Sequence, residues 1–411
     1  MHRKAEPQPP SGLNHDLSKH FPELCRFNST RRMRSSQLYK EIEPEVQRVL
    51  ETVVHEDFSN GVAPLRTQRI RSTAWNIERG NRLDEIIQTL REHPEIRESD
   101  LFLITELDHG MARSENRLVA REIAQALDLN YVFVPCYISL VKGSGLEYHV
   151  EGENTLALHG NALFSPHPIR EVHLIALPPG KDMMRGKEKR LGYQQAALAT
   201  IDHPCGSFYA VSLHLDAHSS QRHRFKQMKL VLDHIDRLPR LPVLIGGDWN
   251  TTTFNAKRAT YSILGYARRV LMGVRNVVEN HYPHPDRWFE RRLFGELHRR
   301  GYRYHDLNQP GGCTLHYDID DLAVNTNMAD WVPGWCFWFI NWAVQRVGGQ
   351  CSLKLDWFAG RDLAPAANHA PLVVSEIHER QDPMSDHDPI LVDVVLEKEA
   401  GGRKPALSRT P

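Results

Sequence analysis

The order of strand-like and helix-like segments in this 411-residue chain predicts an α/β (α+β) fold, two sheets carrying helices on their outer faces. Helical and strand periodicities alternate, but runs of consecutive strands interrupt them, which fits two packed sheets better than one doubly wound parallel sheet. Polar side chains recur at the ends of the predicted strands, where a rigid scaffold presents reactive groups. The length is sufficient to bury a large core.

Residues 1–35 are rich in Pro, Ser, Arg and His without an apolar period and are expected to form a disordered tail. From Ser36 the pattern is helical: Leu38, Ile42, Val46, Val49, Leu50 and Val53 share a face, with Pro44 placed to begin a second helix. Residues 36–66 thus read as a helical extension ahead of a main domain spanning 67–398.

That domain opens with an alternating strand, Ile70 to Ile77, followed by an amphipathic helix through Leu83, Ile86, Ile87 and Leu90. A short apolar strand, Leu101 to Ile104, ends at Thr105 and Glu106; a helix through Leu118, Ile123 and Leu127 leads to a strand at Tyr131 to Val134. Further strands are predicted at Asn154 to Leu158, Asn161 to Phe164, Ala196 to Ile201 and Phe208 to Leu213. The segment His223 to Leu238 is helical by period and leads into the apolar run Pro242 to Ile245. The signal weakens across an insert, residues 256–352, which holds a basic helix-like run, Arg287 to Arg300, and the aromatic run Trp331 to Trp342. Strand character resumes at Ser352 to Phe358 and, after the loop Gln381 to Pro389, at Ile390 to Leu396; residues 399–411 form a polar tail.

Lysine plus arginine and aspartate plus glutamate each number 51, so no global field draws the protein to nucleic acid or anionic membrane. Six scattered cysteines without a CxxC pair argue against a disulfide framework or a thiolate metal knuckle. The N-terminus lacks an apolar secretory segment and no run of apolar residues is long enough to span a bilayer, so a cytoplasmic location is expected.

The central stretch is LIGGDWNTTTFN, Leu244 to Asn255. Side chains two apart share a face while the backbone stays extended, so Asp248 and Asn250 are expected to point to one place. By itself GGDWN reads as a turn. Its company changes that: Asn76 and Glu78 in WNIE, Glu106, His214 in SLHLDA, Asp356 in KLDWF, and Asp386 and His387 in SDHDPI also sit at strand ends or, for Asp356, within or at the end of one. Carboxylate and carboxamide oxygens without thiolate suit a hard cation, Mg²⁺ or Mn²⁺. Two histidines backed by carboxylates can donate to a phosphorane-like transition state, and a further carboxylate can deprotonate water. The set reads as metal-assisted phosphoester hydrolysis.

The ordered motifs WNIxxG, GNALFS (Gly160 to Ser165), SLHLDA, GGDWNTT, KLDWF and SDHDPI resemble the endonuclease/exonuclease/phosphatase superfamily over about Arg69 to Glu397. The resemblance implies a four-layered α/β/β/α sandwich of two mixed sheets with the site at one edge. It implies Glu106 as principal metal ligand with Asn76 beside it and Asp386 contributing directly or through water. It implies Asp248 as the base toward water, Asn250 as a hydrogen-bond partner of the phosphate or nucleophile, and His387, polarised by Asp356, opposite His214 as donors to phosphate oxygens. It also makes Asn161 a substrate-binding candidate. Thr105 stands where many relatives have Gln before the ligand glutamate, and Trp249 and Trp357 replace the usual aromatics.

Plainer readings compete at each place. Asn76 and Glu78 can cap the following helix. Alternating His214, Asp216 and His218 can bind zinc, although that leaves GGDWN and SDHDPI idle. The basic run Lys181 to Arg190 is either a solvated face or, beside a phosphodiester site, a track for a polyanion, and Trp331 to Trp342 is either a packed element or one that dips into lipid. The substrate is thus a phosphoester, in nucleic acid, phospholipid or a small phosphorylated metabolite, with a sphingomyelinase-like phosphodiesterase as the alternative enzyme. A non-catalytic interaction module on the same fold is the alternative from another class.

Overall fold

A computed structural model describes residues 12–60, 68–251, 259–318, 335–380 and 382–397. Two large mixed sheets face each other. The nine-stranded sheet runs Val54–Asp57, Asn130–Ser139, Leu158–Ser165, Leu101–His109, Ile70–Arg79, Ile390–Leu396 and Leu363–Pro365, with Arg190–Gly192 and Leu372–Val373 paired off this path. The five-stranded sheet runs Asp356–Arg361, Val243–Asp248, Gly206–Ser212, Gln194–His203 and Ile169–Leu177.

Each large sheet holds one parallel pair among the described strands, and each pair is a strand–helix–strand unit. Ile70–Arg79 and Leu101–His109 are joined through the helix Leu83–Glu92. Gly206–Ser212 and Val243–Asp248 are joined through Gln221–Ile235. All other strand pairs are antiparallel, so helices coat the outer faces while the inner faces meet.

Side-chain alternation sorts the apolar residues into three layers. Ile70, Ala74, Leu101, Leu103, Val132 and Leu163 of the larger sheet meet Ala197, Ala199, Phe208, Ala210, Leu244 and Phe358 of the smaller one between the sheets. Trp75, Phe102, Ile104, Ile86 and Ile123 pack beneath the helices of the larger sheet. Tyr209, Val211, Val231, Ile245 and Trp357 do so on the other side. This is the four-layered α/β/β/α sandwich implied by the sequence motifs.

Several local expectations are corrected. Residues 12–35 form short helices, Leu17–His20, Phe21–Leu24 and Thr30–Ser35, which bury Leu13, Leu17, Phe21, Leu24 and Met33 against the helical face of the larger sheet. Their few apolar residues are spaced to share one face, which average composition conceals; residues 1–11 lie outside the described ones. Pro44 sits inside a single helix, Gln37–Glu51, rather than opening a second. The extension then adds a strand, Val54–Asp57, to the edge of the larger sheet. The predicted strand at Asn154 to Leu158 is coil as far as Ala157, and Leu158–Ser165 is one strand. The edge strand Ile169–Leu177 escaped sequence reading because its exposed positions mix polar and apolar residues. Within the insert, Leu293, Phe294, Leu297, Tyr302 and Tyr304 pack into the core beneath the smaller sheet. No helix among the described residues is long and apolar enough to cross a membrane.

Candidate active site

Alternation also positions the polar groups. Ile70 and Ala74 face the inter-sheet layer, so Asn76, two residues further on, faces it at the strand end. On the smaller sheet Leu244 faces the same layer, and Asp248 follows at period two. Phe358 faces it as well, and Asp356, directly opposite Asp248 in register, continues that face. Two glycines permit the close approach. A Cβ on Gly246 would lie 2.6 Å from Phe358 and 2.7 Å from Leu103 of the opposite sheet, and one on Gly247 (φ +132°) would lie 2.3 Å from the Leu213 carbonyl oxygen.

Glu106 reaches the site by a different route. Ile104 and Leu107 both pack on the helical side, and the pairing with Leu158–Ser165 shifts register between them. Within that bulge Glu106 takes φ 58°, which turns its carboxylate into the inter-sheet cleft. There it accepts a hydrogen bond from Asn76 Nδ2 at 3.1 Å.

Asp248 Oδ2 is the centre of the arrangement. Asn76 Nδ2 donates to it at 3.1 Å and Asn250 Nδ2 at 3.2 Å. His214 Nε2 lies 3.6 Å away and His387 Nε2 3.9 Å away. The other oxygen, Oδ1, accepts the Asn250 backbone N–H at 2.8 Å, which fixes the carboxylate plane. Glu106 Oε1, His214 Nε2 and Asp248 Oδ2 converge within 4.8 Å of one another.

His387 is held from behind. Its Nδ1 lies 2.7 Å from Asp356 Oδ2, and the Thr314 hydroxyl donates to the same oxygen at 2.6 Å. The His387 N–H donates to Ser385 Oγ, whose hydroxyl donates to the Asn76 carbonyl, and Trp75 Nε1 donates to the His387 carbonyl at 2.8 Å. Thr314 and Ser385 were not visible as site residues in sequence. Ser385 lies in SDHDPI and had that signal; Thr314, in the weakly patterned insert, had none.

Charge is distributed unevenly. Burial raises the Asp248 carboxyl, and the nearby Asp356 charge adds to the effect. Asp386 is raised by burial, opposed by the His387 charge and reinforced by Glu106. Burial pushes Glu78 to about 8, with the Asp386 charge adding to it. Burial also opposes ionisation of Glu106, but the positive charges of Arg79 and the neighbouring histidines hold it well below the usual carboxylate range. His387 resists burial because Asp356, Asp386 and Asp248 surround it, and its pKa stands well above the ordinary histidine value.

A cavity of about 100 Å³ adjoins Glu106 and His214, lined also by Arg79, Tyr137, Arg190 and His218. The basic run Lys181 to Arg190 is only in part a solvated face: Arg185 and Lys187 are exposed, but its end is engaged. Arg190 is ion-paired with buried Glu188 and lies over the Tyr137 ring, and Lys189 Nζ donates to the Phe27 carbonyl at 2.8 Å. Asp216 organises its own turn, accepting from Gly180 N at 2.6 Å and His218 N at 2.8 Å. The helix Leu83–Glu92 receives no side-chain cap, so Asn76 and Glu78 do not cap it. Asn161 is buried and donates to the Gln195 carbonyl at 2.9 Å, tying the two sheets together.

The Endonuclease/Exonuclease/phosphatase family model matches residues 73–387, most of the chain. The chain belongs to this family. Members of the endonuclease/exonuclease/phosphatase family hydrolyse phosphoester bonds, and this protein is an enzyme of that class. Among solved structures, the chain is similar to the human Nocturnin catalytic domain with bound sulfate anion, at 14% identity over 84% of this chain and 96% of that one, with a TM-score of 0.43. It is similar to the 3'-5' exonuclease NExo from Neisseria meningitidis, at 16% identity over 79% and 100% of the two chains and a TM-score of 0.42. An AP endonuclease from Archaeoglobus fulgidus aligns at 12% identity over 80% and 100%, with a TM-score of 0.43. No curated protein matches the chain.

Enzymes of the family generally depend on a divalent metal. The donor set here fits one: several acids crowd the cleft, Asp248, Asp386 and Glu78 are each raised by burial, and a dication would relieve their mutual repulsion.

Proposed function

We propose that the protein is a metal-dependent phosphodiesterase in which Asp248 is the base toward the attacking water. The observation that carries this reading is the convergence of Asn76, Asn250, His214 and His387 on Asp248 Oδ2 at 3.1 to 3.9 Å. The two amides fix the carboxylate and the two imidazole nitrogens lie beside it, which places a base for water next to donors for a phosphate.

Glu106, Asn76 and Asp386 would hold Mg²⁺ or Mn²⁺ through oxygen. When bound, the ion supplies charge neutralisation at a phosphate oxygen. Asp248 takes the proton from water at Oδ2, while the Asn250 N–H on Oδ1 keeps the carboxylate in plane. His387, kept charged by Asp356, donates from Nε2 to a non-bridging phosphate oxygen, and His214 donates from the other side. The Asn250 amide is shared between the Leu215 carbonyl at 3.0 Å and Asp248, and it orients the base or the phosphate.

A phospholipid substrate is the second reading, favoured by the exposed apolar surface of the insert. On the helix Trp335–Gln345, Trp338 is 67% exposed, Phe339 43% and Trp342 38%. The neighbouring helix Ala259–Leu271, tied to it by a hydrogen bond from the Tyr266 hydroxyl to the Phe339 carbonyl, exposes Leu264 and Leu271. Trp331 itself lies outside the described residues. Such a surface suits interfacial contact with lipid. Cys25, Cys136, Cys313 and Cys351 form no disulfide, in keeping with a reducing, cytoplasmic compartment.

The test is hydrolysis of bis-p-nitrophenyl phosphate, DNA and sphingomyelin vesicles with Mg²⁺ or Mn²⁺. Turnover that requires the metal is expected on at least the activated diester. Inactivity on all three would remove the diesterase reading, and turnover of sphingomyelin but not DNA would select the lipid one.

A further inference from the structure

A second cluster of ligating side chains lies behind the site and takes no part in the chemistry above. We propose that His316, His378 and Asp388 form a binding site for Zn²⁺ or a similar transition-metal ion. The inference stands independently of the identity of the hydrolysed substrate.

His316 Nε2 lies 3.0 Å and His378 Nδ1 2.6 Å from the same carboxylate oxygen, Asp388 Oδ2. The two imidazoles stack with centroids 3.5 Å apart and planes 15° from parallel, so one ring must turn about its Cβ–Cγ bond before both in-plane lone pairs can reach one ion. All three donor atoms fall within 4.8 Å of one another. Metal–nitrogen and metal–oxygen bonds of about 2.0 to 2.2 Å separate tetrahedral ligands by about 3.3 Å. Seating an ion therefore widens the His316 contact by about 0.3 Å and the His378 contact by about 0.7 Å.

The surrounding hydrogen bonds prepare the ligands. His316 Nδ1 is engaged by Ser352 Oγ at 2.8 Å, which leaves Nε2 as the ligating nitrogen when Nδ1 donates. Asp388 Oδ1 accepts the His378 backbone N–H at 3.0 Å, leaving Oδ2 for the ion. Asp388 is fully buried, whereas the histidine side chains are 23% and 26% exposed, so an ion and a completing water have a way in. Two imidazoles and one carboxylate with an open position suit zinc, unlike the oxygen donors proposed for Mg²⁺ at Glu106.

The trio Asp100, His167 and His203 has the same composition and fails this test. There the Cys205 N–H donates to His203 Nδ1 at 3.1 Å, so the proton of the neutral ring lies on Nε2, which then donates toward Asp100 rather than ligating.

The site joins three segments. His316 lies on the hairpin Leu315–Asp318 with Gln350–Leu353, His378 on the loop before SDHDPI, and Asp388 next to His387. The Asp388 N–H donates to the Thr314 carbonyl at 2.7 Å, and the Thr314 hydroxyl holds Asp356. A bound ion would therefore clamp the insert hairpin to the segment that carries His387.

The full chain, stripped with chelator and dialysed, is titrated with Zn²⁺ alone in excess Mg²⁺, and bound zinc is counted by native mass spectrometry. One tightly bound equivalent is expected, with His316→Ala and His378→Ala each weakening it about 100-fold or more and Glu106→Gln leaving it intact. The Co²⁺ form of the unmutated protein should show the intense visible absorption of a tetrahedral site, a reading that needs no folded variant. No zinc retained by the unmutated protein, a weak octahedral Co²⁺ spectrum, or unchanged binding in both histidine variants would each overturn the proposal.

Discussion

At each end of the inter-sheet layer an aspartate faces two histidines. Asp248 Oδ2 lies 3.6 Å from His214 Nε2 and 3.9 Å from His387 Nε2. At the other end of the strands Asp100 Oδ1 lies 3.7 Å from His167 Nε2 and 3.8 Å from His203 Nε2. Residue types and distances nearly coincide, yet the carboxyls are driven in opposite directions. Asp248 shares its surroundings with Asp356, and burial plus that charge raise it. Asp100 is opposed by burial alone; His167, His203 and the Arg71 N–H at 2.8 Å hold it at about 2. The neighbours, more than the Asp–His–His trio, separate a reactive group from a structural tie.

The largest expected contrast comes from removing each charge. Asp248→Asn should lower kcat on bis-p-nitrophenyl phosphate by about 10² to 10⁴ while the melting temperature changes little. Asp100→Asn should leave kcat within about twofold and lower the melting temperature. Equal losses of activity in the two variants would end the distinction.

Thr314→Val should come next. It leaves the buried Asp356 carboxylate short of a donor, a loss on the order of 1 to 3 kcal/mol. Because Asp356 orients His387, kcat should fall about tenfold or more with KM less affected, and Thr314→Ser should restore it. A stability loss without any change in kcat would make Thr314 purely structural.

Acid unfolding sharpens the comparison further. The folded-state pKa of Asp100 lies below its ordinary value of 3.8, so its contribution is complete above about pH 4 and disappears as pH falls toward about 2. That portion is about 2 kcal/mol. Chemical denaturation at stepped pH should show it in the unmutated protein and not in Asp100→Asn. His387 has the opposite sign: its raised pKa stabilises the fold below the ordinary histidine value of 6.5, and the contribution is lost as pH rises through the folded value.

The smallest effect is expected at the insert, where Trp338→Ser with Trp342→Ser should reduce co-sedimentation with phospholipid vesicles several-fold and leave hydrolysis of the soluble diester unchanged. Undiminished co-sedimentation would remove the interfacial reading.

The parts of the site that follow strand parity were legible in sequence. Asn76, Asp248 and Asp356 continue inward-facing positions, so spacing alone brings them to one layer. Glu106 was legible as a polar strand end, but its role came from the family motifs, and its direction depends on a bulge and a left-handed backbone that no periodicity announces. Thr314 was invisible because its partner is 42 residues away across a segment with little pattern. The layers were readable from apolar period, whereas the edge strands Val54–Asp57 and Ile169–Leu177 were not, since an edge has only one neighbour to impose alternation.

The family match begins at residue 73, yet the fold does not. Val54–Asp57 lies along Asn130–Ser139 and covers its free backbone edge. Gln195 Nε2 donates to the Leu50 carbonyl at 2.8 Å, and Lys189 Nζ reaches back to the Phe27 carbonyl. The recognisable unit and the cooperative unit therefore have different beginnings. A chain started at residue 68 would keep the proposed catalytic groups but bare the strand edge from Asn130 to Phe133, a template for association with other copies of itself.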